Sequence, residues 1–408
     1  MLTRFMVEDS VTSARREGQY ARSMRRLFPL VAAVILVDTM FYAAIAPLLP
    51  HYVDDLGISK SAAGVLSASY AAGTLIAALP SGWLAARVGV RRTMLIGLGL
   101  LGASSLVFAF GSDVVVLDAA RFVQGVGGAC AWTGGLSWLL ATTPRGRRGE
   151  VIGSALAAAI AGVLLGPVLG GAATVLGPEP VFAIVTVIAA GLAAWAVRTP
   201  AVAPAPPPSL REVGAALFSA PVLAGFWLVG LPATLAGLFD VLVPLRLDEL
   251  GASGALVGAI FLVAAGVEAV ASRVFGGVSD RRGRMVPIRA GLAASVVAAV
   301  VLPLPGSIAV LALATIGAVL ALALFWAPAM ALTSDAAEAT GLDQGFALAL
   351  VNLAWAGGQV LGGSAGAGLA ESTSDAVPYL ITAALFALTL AVIAGRASRL
   401  RADPAGGG

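Results

Sequence analysis

The chain has 408 residues, 59% hydrophobic and 12% charged, with a mean hydropathy of +0.94 and a formal net charge of +3. So few charges cannot clothe a soluble fold, so the medium these residues imply is a lipid bilayer. One cysteine, Cys130, and one histidine, His51, exclude a disulfide framework, a Cys/His metal cluster and a histidine-based triad, so neither enzymatic activity nor a cofactor is expected.

Residues 1–26 are polar and arginine-rich and read as a cytoplasmic tail; the apolar run from Leu27 to Pro50 is too long for a cleavable signal peptide. Apolar stretches of about 20 residues then predict twelve transmembrane helices, near 27–50, 60–82, 93–111, 115–140, 150–175, 180–197, 219–245, 254–278, 286–304, 307–333, 344–369 and 376–395. The first six make an N-terminal bundle over 27–198 and the second six a C-terminal bundle over 216–396. Between them, Pro200, Pro204, Pro206, Pro207 and Pro208 make 199–215 an extended linker, since proline cannot continue a helix. Residues 397–408 form a second cytoplasmic tail.

The halves are copies. Residues 52 to 92 recur at 246 to 286, an offset of 194: Asp54-Asp55-Leu56-Gly57 returns as Asp248-Glu249-Leu250-Gly251, and Gly64, Gly82 and Gly89 return as Gly258, Gly276 and Gly283. An apolar duplicated chain fits a transporter in which one half moves against the other around a central site. Arg87, Arg91, Arg92, Arg145, Arg147, Arg148, Arg281, Arg282 and Arg284 fall on one side, and Asp54, Asp55, Asp113, Glu179, Asp248, Glu249, Glu371 and Asp375 on the other. Cations are retained inside, which places both termini in the cytoplasm and the protein in the cell inner (plasma) membrane. The pI of about 9.4 then reflects topology, and no nucleic-acid partner is expected.

Between spans 2 and 3, Gly82-Trp83-Leu84-Ala85-Ala86-Arg87-Val88-Gly89-Val90-Arg91-Arg92 resembles the signature loop of the major facilitator superfamily, and Gly276 to Arg284 (GGVSDRRGR) resembles its second copy. Glycines allow the tight turn, and the arginines hold the loop at the interface. The resemblance spans all twelve helices and implies two pseudo-symmetric six-helix bundles, all α. Its usual fifth residue is an aspartate that locks the outward-open face. The second copy has Asp280, followed by Arg281 and Gly283; the first has Ala86.

Span 1 places Asp38 near the bilayer midplane, with Tyr42 one turn on, and resembles the first helix of vesicular amine transporters and bacterial drug exporters. Burial disfavours an ionised carboxyl, so Asp38 can exchange a proton or pair with a cationic substrate. In span 4, Arg121-Phe122-Val123-Gln124-Gly125-Val126-Gly127 resembles the family's RxxQGxG motif, whose arginine is linked to proton coupling. An ionised Arg121 costs at least ~2.5–3.5 kcal/mol at such depth unless it is paired or snorkels outward, with Asp118 as the nearest partner. In span 5, Gly162, Gly166, Pro167, Gly170 and Gly171 fit GxxxGPxxGG, a groove for a close neighbour plus a bend, and resemble the signature of drug:proton antiporters. Glu268 in span 8 is a further proton or cation site unless Arg273 neutralises it. Asp240 in span 7 is as compatible with an outer ion pair as with ligand contact. Tyr42, Gln124, Trp132, Trp326, Asn352, Trp355 and Gln359 are candidate substrate contacts, with Tyr70, Trp138, Trp227 and Phe325 as further candidates for the lining.

Together these features imply a monomeric exchanger of protons for a small amphipathic compound, embedded in the bilayer. The GxxxxGK[ST] phosphate loop is missing from the sequence, which argues against ATP as the direct energy source. Proton symport of a nutrient on the same fold, and a non-transporting receptor, stay open as alternatives.

Overall fold

The computed structural model describes residues 26–144, 147–202, 208–342 and 344–402, and at 149, 273, 276–280, 282, 344 and 396–402 the backbone alone. The tail before residue 26, most of the prolines of the linker, and the side chains of Arg273 and Asp280 lie outside the described residues, and Gly276 is described only as backbone within α8.

Twelve long helices follow in order: α1 (Arg26–Leu56), α2 (Lys60–Val88), α3 (Val90–Phe110), α4 (Val114–Thr142), α5 (Arg148–Leu176), α6 (Pro178–Arg198), α7 (Ala220–Glu249), α8 (Gly254–Arg282), α9 (Met285–Val301), α10 (Ile308–Glu338), α11 (Gly345–Ser372) and α12 (Ala376–Ala402). Among the described residues, eleven helices are long and apolar enough to cross a membrane, and α9 is a shorter apolar helix. Most run past the apolar core by about a turn, which explains why they exceed the spans read from hydropathy. A linker helix (Leu210–Leu217) stands between α6 and α7.

The 194-residue repeat recurs as backbone geometry. Ser59 caps α2 by accepting from the Ala62 N–H, and Ser253 caps α8 by accepting from the Leu256 N–H. Such a cap satisfies a donor that the first helical turn leaves unpaired. Gly57 and Gly251, and again Gly89 and Gly283, have positive φ in both copies. Gly89 (φ 95°, ψ 147°) occupies a region of backbone space that is essentially reserved for glycine. Gly89→Ala is therefore expected to lower stability by about 1–3 kcal/mol, measured as a lower melting temperature in detergent, although open space surrounds the new methyl.

Packing follows the same symmetry. In the first bundle α2 packs on α4, and α3 on α4 and α6; in the second α8 packs on α10, and α9 on α10 and α12. The bundles meet through α2 with α11 and α5 with α8. At the Gly57/Gly251 end these crossings are made by glycine backbone. A methyl on Gly64 would strike the Gly363 carbonyl and Ala367, and one on Gly258 would lie 2.9 Å from the Pro167 carbonyl and 3.4 Å from the Gly171 Cα. Lys60 closes the same end with an ion pair to Asp375 at 2.6 Å, and the Glu371 carboxylate accepts from the Ser61 N–H at 2.5 Å.

Two spans are irregular. α1 breaks at a short tight turn of helix, Ala46–Leu48, because Pro47 and Pro50 have no N–H to continue the ladder. α11 widens into a π-helical turn at Leu361–Gly366, just after Gln359. Pro167 lies within the continuous helix α5 in the corresponding region of the first half.

Candidate functional site

Between the bundles lies a cavity of about 410 Å³, walled by α1, α2, α4 and α5 on one side and α7, α8, α10 and α11 on the other. Tyr42, Trp132, Trp326, Asn352, Trp355 and Gln359 line it. Phe239 and Phe261 join them; nothing in their apolar surroundings marked them beforehand.

Asp38 is fully buried and does not line the cavity. Tyr70 and Trp132, which do line it, stand in front and donate to one carboxyl oxygen, from the hydroxyl at 2.9 Å and the indole N–H at 3.1 Å. The other oxygen has no hydrogen-bond partner. Gly128 makes this closure possible, since a methyl there would lie 2.6 Å from the Tyr70 hydroxyl and 2.9 Å from Asp38. Direct substrate contact at Asp38 thus requires Tyr70 or Trp132 to move.

Arg121 is 1% exposed and does not snorkel, and its hydrogen bonds go to groups other than Asp118. Its guanidinium donates to the Phe41 carbonyl at 3.4 Å, the Tyr42 carbonyl at 3.2 Å and the Gln124 side-chain oxygen at 2.7 Å. The first two acceptors lie just before the break in α1, so the arginine secures the end of a helix that proline interrupts. It also lies over the Tyr70 ring at 5.4 Å and the Tyr42 ring at 6.0 Å. Gln124 is itself fully buried and, like Asp38, stands behind the wall.

Across the cavity Gln359 donates to the Tyr42 hydroxyl at 2.8 Å, joining α11 of one half to α1 of the other. Asp240 faces the same cavity as Gln359. An outer ion pair for Asp240 is not what forms: Arg246 pairs instead with Glu249 at 2.8 Å. Glu268 lines the opposite part of the same wall. The cavity thus offers aromatic faces, two carboxyls in the second half and a screened carboxyl behind the first, an arrangement suited to a small amphipathic molecule with a cationic or hydrogen-bonding group.

The remaining candidates other than Pro167 stand outside the cavity wall. Trp227 is directed away from the cavity and donates to Thr389 at 2.8 Å, and Phe325 packs edge-on against Phe386 in the second bundle. Gly162, Gly166 and Gly170 press α5 onto α1: methyl groups there would strike Thr39 and the Leu36 carbonyl, Ala43, and the Ala44 carbonyl. The Pro167 carbonyl and Gly171 lie toward Gly258 of α8, and Pro167 also lines the cavity. Near the Gly89/Gly283 end, Gly82 lies under the Phe346 ring, Arg87 is exposed, Arg91 donates to the Thr199 carbonyl at 3.1 Å, and Arg281 is exposed. Asp335 pairs with Arg284.

A family model, Major Facilitator Superfamily, matches residues 31–342. Among curated proteins the chain is similar to the MFS-type transporter ppzB of Metarhizium rileyi, 33% identical over 147 residues, covering 35% of this chain and 30% of that protein. It is also similar to the probable vesicular acetylcholine transporter-B of Danio rerio, 35% identical over 159 residues, covering 37% and 32%. The chain thus matches about a third of the length of these relatives. A solved POT family transporter superposes with a TM-score of 0.73 at 13% identity, covering 91% of this chain and 96% of that one. The xylose transporter XylE of E. coli gives 0.71 at 15%, covering 90% and 96%.

Proposed function

From the premise that the chain belongs to the Major Facilitator Superfamily and is a membrane transporter, we propose that it exports small amphipathic compounds in exchange for protons, by alternating access. The observation that carries this reading is the carboxyl of Asp38, sealed behind Tyr70 and Trp132 at the wall of a substrate-sized cavity. A proton-carrying acid that is separated from the substrate by two movable side chains can sense occupancy without being consumed as a ligand.

In this cycle Asp38 takes a proton from the outside and releases it to the cytoplasm as substrate enters. Arg121 fixes the broken α1 beside it, and so sets where the carboxyl stands. The Tyr42–Gln359 hydrogen bond carries the change to the second half, where Asp240 and Glu268 hold the polar end of the substrate or a second proton. The glycine motif of α5 and the partial likeness to a vesicular acetylcholine transporter favour exchange over symport. We place the arginine-rich end of the molecule in the cytoplasm, the closed Lys60 end outside, and the protein in the plasma membrane as a monomer.

One charge crossing ~100 mV supplies about 2.3 kcal/mol, enough to hold roughly a 50-fold substrate gradient. Asp38→Asn is expected to bring that gradient to unity in proteoliposomes with an imposed proton gradient. A variant that still concentrates substrate removes Asp38 from the coupling. In the wild type, substrate addition should drive protons in the opposite sense; parallel movement would mean symport.

A further inference from the structure

The two copies of the signature loop differ at two linked places. Where the second has Asp280 the first has Ala86, and where the first has Trp83 the second has Gly277. The half without the carboxylate is the half with the indole.

Trp83 spans three elements. Its ring meets Phe346 of α11 edge-on at 5.9 Å, across the junction of the bundles. Its indole N–H donates to the Pro208 carbonyl at 3.2 Å, on the linker. Phe346 in turn packs with Leu342 and Leu350 and with Val213 and Ala216 of the linker helix, forming an apolar cluster of its own, apart from the main core. Gly82 lets that phenyl ring lie against α2, since a methyl there would lie 2.8 Å from its tip.

The linker is held where this carbonyl is needed. Ser209 starts the linker helix with a reciprocal cap: its hydroxyl accepts from the Glu212 N–H at 3.2 Å and the Glu212 carboxylate accepts from the Ser209 N–H at 2.7 Å. The Ser209 N–H and hydroxyl hold the Glu212 carboxyl below its ordinary range, so the cap is charged at neutral pH. A cap of this kind fixes the residues at the start of the helix, Pro208 among them. The Gly57/Gly251 end, by contrast, closes through glycine backbone and an ion pair. At this end the halves meet through side chains, which can separate without rebuilding the helices.

We propose that Trp83, docked on Phe346 and tied to the Pro208 carbonyl, is the inner latch of the first half and replaces the carboxylate that Ala86 lacks, with the capped linker helix as its keeper. The proposal rests on the alternating-access reading only in supposing that this end opens. When it opens, the indole leaves Phe346; when it closes, the N–H regains a carbonyl that the linker presents at a fixed place.

The test is a distance measurement on the full chain in lipid nanodiscs. Spin labels replace the exposed residues Arg92, at the start of α3, and Thr340, just past the end of α10, in a Cys130→Ala background. Double electron–electron resonance then reads how often the end is open. Trp83→Ala should raise the open-to-closed ratio roughly five-fold or more, the scale of one lost hydrogen bond plus the ring contact. Trp83→Phe, which keeps a ring, should give a smaller rise, and Ser209→Ala, at an exposed position, should raise it also. Unchanged distributions in Trp83→Ala and Ser209→Ala together overturn the proposal. Transport measured in parallel keeps the two readings apart. A parent that opens and closes but transports nothing refutes the transport reading alone, whereas a parent that transports with distributions indifferent to Trp83 and Ser209 refutes the latch alone.

Discussion

Arg121→Leu is expected to abolish proton-coupled transport and to destabilise the protein by about 2–4 kcal/mol, read as a lower melting temperature in detergent. The buried guanidinium satisfies the carbonyls of Phe41 and Tyr42 and the side chain of Gln124. Leucine fills much of the volume but leaves all three acceptors in an apolar interior, at about 1–3 kcal/mol for each group left unsatisfied. Relief from burying a charge offsets part of that cost, hence the intermediate figure. The functional loss is larger than the thermodynamic one because the acceptors sit at the break in α1, a turn beyond Asp38. Once they are free, the lower part of α1 no longer presents Asp38 to Tyr70 and Trp132. Arg121→Lys separates the two effects. Its ammonium keeps the charge but lacks the planar fork that reaches several acceptors at once, so the variant should fold and yet transport more than tenfold slower, on the order of one lost charge-assisted hydrogen bond.

Gly166→Leu should be at least as damaging, through packing alone. A methyl there would already strike the Ala43 Cβ and lie 2.9 Å from the Met40 carbonyl, and backbone cannot step aside as a side chain can. Overpacking of this kind costs about 1–3 kcal/mol. The accommodation available, moving α5 off α1, also undoes the Thr39 hydroxyl bond to the Ala159 carbonyl at 3.1 Å. We expect little folded protein at 37 °C and no transport from what folds, assayed by size-exclusion profile and proton flux. Gly191→Ala is the control: open space surrounds that position in α6, and the variant should be unchanged or slightly stabler, since alanine is favoured over glycine within a helix by about 1 kcal/mol.

These contrasts mark the boundary of what the residues alone disclose. The twelve spans, the duplicated frame and the contacts of the α5 glycines follow from one-dimensional signals: apolar length, recurrence and small-residue spacing. Rotation about each helix axis does not. A soluble helix declares its inner face by putting polar residues outside, but in a bilayer the lipid face is as apolar as the core, so that cue is lost. Asp38 and Asp240 look alike in sequence, each a lone acid in an apolar run. The structure seals one behind Tyr70 and Trp132 and sets the other in the cavity wall. The contacts of Arg121 escaped for a different reason. Two of its three partners are main-chain carbonyls, which carry no residue identity, and only the proline break shows why they need a donor.

The bare crossings of Gly64 on Gly363 and of Gly258 on Gly171 also set a mechanical advantage. From Gly64 to Trp83 is nineteen residues of helix, an arm of about 28 Å at 1.5 Å per residue. A tilt of about 10° at the crossing swings the far end of that arm by about 5 Å, more than enough to part the indole from its carbonyl. With only glycine backbone and the small Ala68 and Ala367 side chains at the Gly64 crossing, the tilt parts no large side chains there, and its displacement is greatest at the opposite end.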